Sequence, residues 1–215
     1  MPEPLPSARG SVADFTATPP LSDGRVRLEP LSAAHRDQLS DAVRDGELWR
    51  TWYTPIPSPV EMSAEIDRRL ALQRAGSMAP WAILDLSGGS ARAVGMTTFM
   101  NVDPENRRLE IGSTWMGRAA QGTGVNVRAK LLLLTRAFET LHCVAVEFRT
   151  HWHNRQSRAA IARLGAKQDG VLRNHRLVDV PGEAEPVLRD TVVFSIIASE
   201  WPTVRIGLRE RVAGR

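Results

Sequence analysis

The run Gln121-Gly122-Thr123-Gly124 has the residue types and spacing of an anion-binding turn between an extended segment and a helical one. Glycine allows a tight turn that presents successive backbone N–H groups, and a helix start carries roughly half a positive charge. A phosphate is favoured at such a junction, although a plain turn has the same pattern. The run is not a dinucleotide fingerprint, because Val127 stands where a third glycine would be. Nor is it a nucleotide P-loop, since no Gly-Lys-Ser/Thr follows.

Other reactive side chains give weaker signals. His151 and His153 would face the same way on a strand, but no third ligand is near, so we predict no metal site. The single cysteine, Cys143, lies in an apolar stretch and cannot form an internal disulfide. We therefore expect a reducing, cytoplasmic compartment and no covalent cysteine intermediate.

Charge and hydropathy exclude some classes of partner. The chain has 28 lysines and arginines against 24 acidic residues, but the two signs are interleaved along the sequence, as in Glu61, Glu65, Asp67, Arg68 and Arg69. Proteins that bind nucleic acid concentrate basic residues into a stripe or tail, so we expect no nucleic-acid partner. No apolar run approaches the ~18 residues that a membrane span needs, so we expect no membrane association.

The length of 215 residues suits one hydrophobic core rather than two. Residues 1–22 contain five prolines and no long apolar run, which predicts a disordered N-terminal tail. We assign residues 23–215 to a single domain.

The elements that must position these residues follow from hydrophobic periodicity. Alternation predicts a strand at Arg25–Glu29, and helical spacing follows over residues 32–44 and 58–75. Three strands separated by turn residues then predict an antiparallel meander over residues 80–116. Apolar residues at spacings of 4, 3, 4 and 3 predict a helix through Val127, Leu131, Leu134, Phe138 and Leu141.

The C-terminal third predicts a strand at 144–150, a helix capped by Asn154, two more strands over 171–178 and 188–197, and a final helix. A helix between the fourth and fifth strands makes that pair parallel within an otherwise antiparallel sheet. The fold class is therefore α/β in the broad sense: helices and strands alternate, but the sheet is mostly antiparallel, as in α+β proteins.

Several segments taken together resemble the GNAT superfamily of acetyl-CoA-dependent N-acyltransferases. They are LEIGSTWM, QGTGVN, AKLLLLTRAFETL, VEFRT, N-x-x-S-x-x-A-I-x-x-LGA, GVLRNH and RDTVVFSI. Within the superfamily, the sequence resembles the RimJ/RimL-like type, the ribosomal-protein alanine N-acetyltransferases, over about residues 25–212. The resemblance implies a mixed, mostly antiparallel seven-stranded twisted sheet flanked by helices. Its fourth and fifth strands would splay apart, with coenzyme A wedged between them.

The resemblance also implies how acetyl-CoA, the expected cosubstrate, is held. Its pyrophosphate would bind the loop amides of Gln121, Gly122, Thr123, Gly124, Val125 and Asn126. Its pantetheine arm would pair with the fourth strand near Trp115, Met116 and Gly117, and Asn154 would bind that arm or orient the thiol. The chain departs from the family at Ala119, Val127 and Arg128, but these departures remove no backbone amide.

Two carboxylates match family positions for a catalytic base: Glu110 on the fourth strand and Glu147 on the fifth. Each could instead be paired to an arginine, Glu110 to Arg107 or Arg108 and Glu147 to Arg149. Ile161 replaces the tyrosine that many members use to protonate the leaving thiolate. Ser157 is a candidate donor in its place, or a serine that bonds locally at a helix start. The family oxyanion donor would be a backbone N–H near Met116.

For the acceptor side, the resemblance leaves alternatives open. Trp49, Trp52 and Tyr53 would cover the acceptor or pack as core, and His175 would line the acceptor side or pack there. His151 stands where relatives have an acid and could take part as a base. Arg173 and Arg189 could contact an acidic acceptor or be paired surface residues.

The resemblance predicts direct acetyl transfer in a ternary complex, with a protein N-terminal α-amine as the acceptor. The alternatives are a small-molecule amine such as an antibiotic, polyamine or amino acid, and a non-catalytic coenzyme-A-binding protein. Homodimers are common in the family, so a homodimer is a further expectation.

Overall fold

Segments with apolar alternation form the strands of one sheet. The structure, a computed structural model, describes residues 11–180 and 182–214. Within them the strands are β1 (Leu21–Ser22), β2 (Val26–Pro30), β3 (Met78–Asp85), β4 (Arg92–Asp103), β5 (Arg108–Met116), β6 (Ala145–His151), β7 (Lys167–Val178) and β8 (Val187–Ile197). The helices are α1 (Val12–Thr16), α2 (Arg36–Arg44), α3 (Met62–Arg74), α4 (Val125–Thr135), α5 (Arg155–Arg163) and α6 (Trp201–Ala213). None of the helices in the described ranges has the length and apolar character to span a bilayer.

The sheet order is β1-β2-β3-β4-β5-β6-β8-β7, and only the β5–β6 pair is parallel. The predicted mixed sheet with one parallel pair is therefore confirmed. The sheet has eight strands rather than the expected seven. The additional strand is β1, which lies in the segment predicted as a tail and pairs with β2.

The second half of the predicted disordered tail is structured. Phe15 on α1 is fully buried, because it joins the core beside Trp81 and Phe99. The indole N–H of Trp81 donates to the carbonyl of Pro19 at 3.0 Å, and Gln73 donates to the carbonyl of Thr16 at 2.9 Å. These contacts fasten residues 11–22 to the domain. Residues 1–10 lie outside the described residues, so disorder there stays a prediction.

The helices pack in two layers. One hydrophobic cluster joins α2 and α3 to residues of β3, β4 and β5 and includes Trp115. The other contains α4, α5 and α6 and includes Phe148, Phe194 and Trp201. The α2–α3 cluster contains no residue of β6, β7 or β8. These three strands therefore extend beyond that helix layer.

The parallel strands β5 and β6 stay together for only a short distance. Their register joins Arg108 with Ala145, Leu109 with Val146 and Glu110 with Glu147. Beyond Glu110, β5 runs on to Met116 beside β4, whereas β6 stays paired with β8 as far as His151. Each strand follows its other neighbour, so a gap opens between them. The predicted splay is confirmed.

Candidate active site

The gap between β5 and β6 is the mouth of a cleft of about 670 Å³. Its walls are the diverging parts of both strands, the start of α4, the inner side of α5, residues 51 and 53–56, and the facing parts of β7 and β8. Of the residues predicted to bind the coenzyme, the cleft is lined by Trp115, Met116, Gln121, Gly122, Gly124, Asn126 and Asn154. Gly117, Thr123 and Val125 lie behind this wall.

Those three residues shape the wall instead. Gly117 packs against α2, since a Cβ built there would lie 2.7 Å from the carbonyl oxygen of Ala42. The hydroxyl of Thr123 donates to the carbonyl of Ala120 at 2.8 Å, which closes the loop, and Val125 is buried in the core.

The loop before α4 depends on its glycines. Gly122 has a φ of 78° and Gly124 a φ of 98°, which are left-handed values that other residues rarely adopt. Gly124 is the N-cap of α4, and no side chain caps the helix there. The first N–H groups of a helix have no acceptor within it, so the start of α4 offers donors and a positive dipole end to the cleft.

Gln121 ties this loop to both sides of the cleft. Its side-chain amide donates to the carbonyl of Met116 at 3.0 Å, and its side-chain carbonyl accepts from Gln156 on α5 at 3.1 Å. Two buried polar atoms in the wall, Asn126 Oδ1 and Trp115 Nε1, have no hydrogen-bond partner among the described residues. Buried polar atoms are nearly always bonded, so the wall fits a polar ligand such as the amide-containing pantetheine arm.

Glu110 lies at the point where the strands separate, and its side chain lines the cleft. It is 5% exposed, and its carboxylate accepts from Asn101 at 2.7 Å. Burial raises the pKa of Glu110 above its usual value, although Asn101 and the charge of Arg149, 3.7 Å away, act against this. A carboxylate with a raised pKa is better suited to accept a proton near neutral pH than an ordinary one.

Glu147 has a different setting and does not line the cleft. Its two oxygens bond Arg108 at 2.5 Å and Arg149 at 2.8 Å. Burial acts to raise the pKa of Glu147, but the hydrogen bonds from Arg149 and Arg108 outweigh it and hold this pKa below the usual value. The arginine pairing considered from sequence therefore describes Glu147. The partner expected for Glu110 differs, since Arg149 approaches it and neither Arg107 nor Arg108 does.

Asn154 and Ser157 meet at the start of α5. Asn154 Oδ1 accepts the backbone N–H of Ser157 at 2.9 Å, which caps the helix as predicted, and its amide donates to Thr54 at 3.2 Å. Both residues line the cleft. Asn154 thereby joins the cleft wall to the segment after Tyr53.

The three aromatic residues predicted to cover the acceptor, Trp49, Trp52 and Tyr53, lie in different places. Trp49 packs against the α2–α3 core, as in the packing alternative. Tyr53 lines the cleft, and Trp52 makes edge contacts with Tyr53 and His151 at ring-centroid distances of 5.4 and 5.3 Å. A small aromatic cluster with His151 therefore stands beside the cleft.

Both candidate histidines, His151 and His175, line the cleft. His151 Nδ1 accepts the backbone N–H of His153 at 3.0 Å, and His175 Nδ1 shares a hydrogen bond with Thr191 at 3.1 Å. Burial, followed by nearby arginine charge, lowers the pKa of both imidazoles, so they are neutral at pH 7. In the described part of the chain, no group of three or more His, Cys, Asp or Glu could hold a metal ion.

Sequence reasoning missed two buried cations at an irregular point in β5. The β4–β5 register shifts opposite Gly112–Trp115, where Ser113 has a φ of 44°. From one face, Arg69 donates to Thr98 at 2.7 Å and to the carbonyl of Ser113 at 3.2 Å.

From the other face, Lys130 on α4 donates to Thr114 at 2.6 Å and to Thr97 at 3.2 Å. Burial lowers the pKa of Lys130 from 10.5 to about 7. Helical spacing could have predicted that Lys130 is buried, because it shares a helix face with Val127 and Leu134, which are both buried.

Comparison with known proteins identifies this architecture. The family described as "Acetyltransferase (GNAT) domain" matches residues 25–167, more than half of the chain. The chain belongs to the GNAT acetyltransferase family. The predicted family and its acetyl-CoA-dependent enzyme class are confirmed by this match, and acetyl-CoA is the acyl donor of GNAT enzymes.

One curated relative supports the RimJ/RimL-like type. The Bacillus subtilis (strain 168) protein named "Putative ribosomal N-acetyltransferase YdaF" is 32% identical over 107 residues, which span 50% of this chain and 55% of that protein. The chain thus matches about half the length of this curated relative.

Two solved structures share the GNAT fold over almost the whole chain. A GCN5-related N-acetyltransferase from Brucella melitensis has a TM-score of 0.78 at 25% identity, covering 99% of this chain and 90% of the other. Mycobacterium smegmatis RimJ, solved in complex with CoA-disulfide, has a TM-score of 0.72 at 23% identity, covering 92% and 94%.

Proposed function

We propose that this GNAT protein transfers an acetyl group from acetyl-CoA to the N-terminal α-amine of a protein, directly within a ternary complex. The observation that supports it most is the position of Glu110, buried at the fork of β5 and β6 and open to the cleft. Acetyl-CoA supplies the activated acyl carbon. The loop amides of residues 121–126 hold its pyrophosphate.

In this mechanism Glu110 is the general base, directly or through a water molecule. Glu110 accepts a proton from the ammonium group, and the amine nitrogen then bonds to the acyl carbon as the carbon–sulfur bond breaks. A backbone N–H of β5 on the Glu110 side of Met116 stabilises the negative charge that develops on the acyl oxygen. Glu147 supports this site only by holding Arg149.

An α-amine makes a moderate demand on such a base. Its pKa of about 8 means that deprotonation at pH 7 costs roughly 1.4 kcal/mol, against roughly 4.6 kcal/mol for a lysine side chain. The carboxylate of Glu110, with its raised pKa, suits the smaller demand. A thiol has a pKa near 8.5, so at pH 7 the departing thiolate takes up the second proton that the amine nitrogen loses on forming the amide, relayed through Ser157 or water.

The test is an acceptor screen with acetyl-CoA and succinyl-CoA, read by thiol release and by mass spectrometry. The acceptors are peptides with a free α-amine, the same peptides with a blocked N-terminus and one internal lysine, and a set of polyamines, aminoglycosides and amino acids. We expect one acetyl group on the free α-amine and none on the blocked peptides.

Transfer only to small amines would favour the small-molecule alternative and contradict a protein acceptor. Binding of acetyl-CoA by calorimetry, with no thiol release above the acceptor-free rate for any amine, would favour the non-catalytic alternative.

A cytoplasmic location and a homodimer belong to the same proposal. Apolar side chains are exposed near the β7–β8 turn, where Leu177 pairs with Leu188 and the two are 66% and 54% exposed. A second copy could cover them. Sedimentation of the protein and of Leu188→Glu measures this, and a wild-type monomer would contradict it.

A further inference from the structure

The end of the cleft around Glu110 is unusually rich in positive charge. Arg149, Arg176 and Arg189 line it together with Glu110, which is the only acidic residue in the wall as the described residues define it. Arg149 and Arg176 act electrostatically on Glu110, and Glu110 acts in turn on Arg189. The three guanidinium groups therefore lie in the part of the cleft near the proposed catalytic base.

Two of these arginines form no ion pair with any carboxylate that the structure describes. Arg149 is paired with Glu147, but neither Arg176 nor Arg189 forms an ion pair within residues 11–180 and 182–214. Arg189 Nε is buried and has no hydrogen-bond acceptor in those ranges. Arg189 is half-buried, so its charge is partly removed from water, and within the described residues it is offset only by the more distant charge of Glu110.

The coenzyme does not account for this charge. Its phosphates are assigned to the loop that follows Met116, at the far end of β5 from Glu110. The strand between Glu110 and Met116 rises about 3.4 Å per residue, so the two ends lie roughly 20 Å apart. The unpaired arginines are coupled to the Glu110 end, where the acceptor must present its amine.

From these observations we infer that the acceptor carries a carboxylate close to its reacting amine, and that Arg176 and Arg189 bind it. This inference rests on the proposed acetyltransferase function and narrows its substrate class. A guanidinium bonds a carboxylate through a pair of parallel N–H donors, which fixes both distance and orientation. A peptide with an acidic side chain at its second residue has this chemistry, and a free amino acid has it in its own carboxylate.

Arg173, which the sequence made equally plausible, does not share this position. It lies outside the cleft wall, is largely exposed, and pairs with Asp190 at 2.5 Å. The sequence could not separate Arg173 from Arg189, since only the fold shows which of them has an internal partner.

The test compares matched acceptors. Peptides that begin Ala-Asp, Ala-Asn and Ala-Lys and are otherwise identical and neutral are assayed beside glycine and glycinamide. A charge-assisted hydrogen bond contributes about 1.5–3 kcal/mol, so we expect kcat/KM for Ala-Asp to exceed that for Ala-Asn by about tenfold or more, mainly through KM. A preference for glycine over glycinamide that exceeds the peptide preference would instead identify a free amino acid as the source of the carboxylate.

Variants locate the effect. Arg189→Gln and Arg176→Gln should each lower the ratio of kcat/KM for Ala-Asp to kcat/KM for Ala-Asn toward one, while the Ala-Asn peptide is still acetylated. Arg176 is exposed, so its variant tests the inference even if Arg189→Gln folds poorly. Arg176→Glu should shift the preference toward Ala-Lys. Arg209→Gln removes the same charge from an exposed position on α6 and should leave the preference unchanged.

Transfer at equal kcat/KM to charged and neutral acceptors would overturn the inference and leave the proposed function standing. A preference for Ala-Asp that survives in both glutamine variants would overturn the assignment to Arg176 and Arg189. The absence of transfer to any amine, with acetyl-CoA still bound, would overturn the proposed function and the acceptor class with it.

Discussion

In the proposed function, the two ends of the cleft recognise their ligands in different ways. At the α4 end, the binding groups are backbone amides whose positions depend on Gly122 and Gly124. At the Glu110 end, they are side chains from β5, β6, β7 and β8. A backbone site depends on chain geometry and tolerates changes such as Ala119 and Arg128, whereas a side-chain site changes with single substitutions. The contrast suits an enzyme with one fixed donor and a variable acceptor.

The largest effect should come from the side-chain end. Glu110→Gln preserves the size of the buried group and its bond with Asn101 but cannot accept a proton, so we expect kcat to fall about a hundredfold or more. Wild-type activity should decline as the pH falls through the raised pKa of Glu110, because the protonated acid is no base. The variant should lose this acidic limb in a pH–rate profile.

The matched control is Glu147→Gln, which removes a carboxylate of the same kind from the neighbouring strand. It breaks pairs with Arg108 and Arg149, so it should act on stability and change kcat by far less than Glu110→Gln. Equal losses of kcat in the two variants would contradict the assignment of the base to Glu110.

A smaller effect should appear at the backbone end. Gly122→Ala places a Cβ in open space, but at a φ of 78° it strains the loop by about 1–2 kcal/mol. Relief of that strain turns the loop amides, so we expect the KM for acetyl-CoA to rise up to about tenfold with little change in kcat. Gln121→Ala keeps the backbone and removes only side-chain bonds, so it should raise that KM less. A larger effect of Gln121→Ala would break the contrast between the two ends.

The last effect is on stability rather than on turnover and concerns the middle of the cleft, where Lys130 holds β5. The pKa of Lys130 falls from 10.5 to about 7 on burial, so between these values the unfolded chain binds a proton that the folded protein lacks. Stability contributed by this group therefore rises with pH over that window, by at most about 1.4 kcal/mol per pH unit.

Lys130→Met should abolish this slope. The measurement is the free energy of unfolding of both proteins by denaturant at several pH values between 7 and 10. The free energy of unfolding of the wild-type protein should rise relative to that of the variant as the pH rises. A constant difference would mean that Lys130 stays charged in the folded protein across the whole range, which would contradict the lowered pKa.

Sequence patterns predicted the parts of the site that depend on chain order. The glycine loop, the α4 helix and the parallel pair follow from spacing and from a crossover helix, whereas the splay of the two strands was expected only from the resemblance to the GNAT superfamily. The contrast between Glu110 and Glu147 could not, because which carboxylate an arginine reaches depends on side chains across strands. Lys130 and Arg69 were missed for a similar reason, since their partners are hydroxyls and a carbonyl at an irregular point in β5.

In the N-terminal segment, amino-acid composition was a poor guide to structure. Its prolines predict disorder, but one buried aromatic residue, Phe15, and the carbonyl groups around it attach residues 11–22 to the core. Average composition therefore said less about these residues than a single anchoring side chain.

The short seam between β5 and β6 has a consequence for the motions of the whole molecule. Three residue pairs are all that join the two strands along the seam. Opening of such a seam disrupts few ladder bonds, so amide exchange at Leu109 and Val146 should be faster than at the centres of β3 and β8. A molecule bound across the gap would contact the parts of the sheet on both sides of the β5–β6 pair. It would therefore slow amide exchange at Leu109 and at Val146 together.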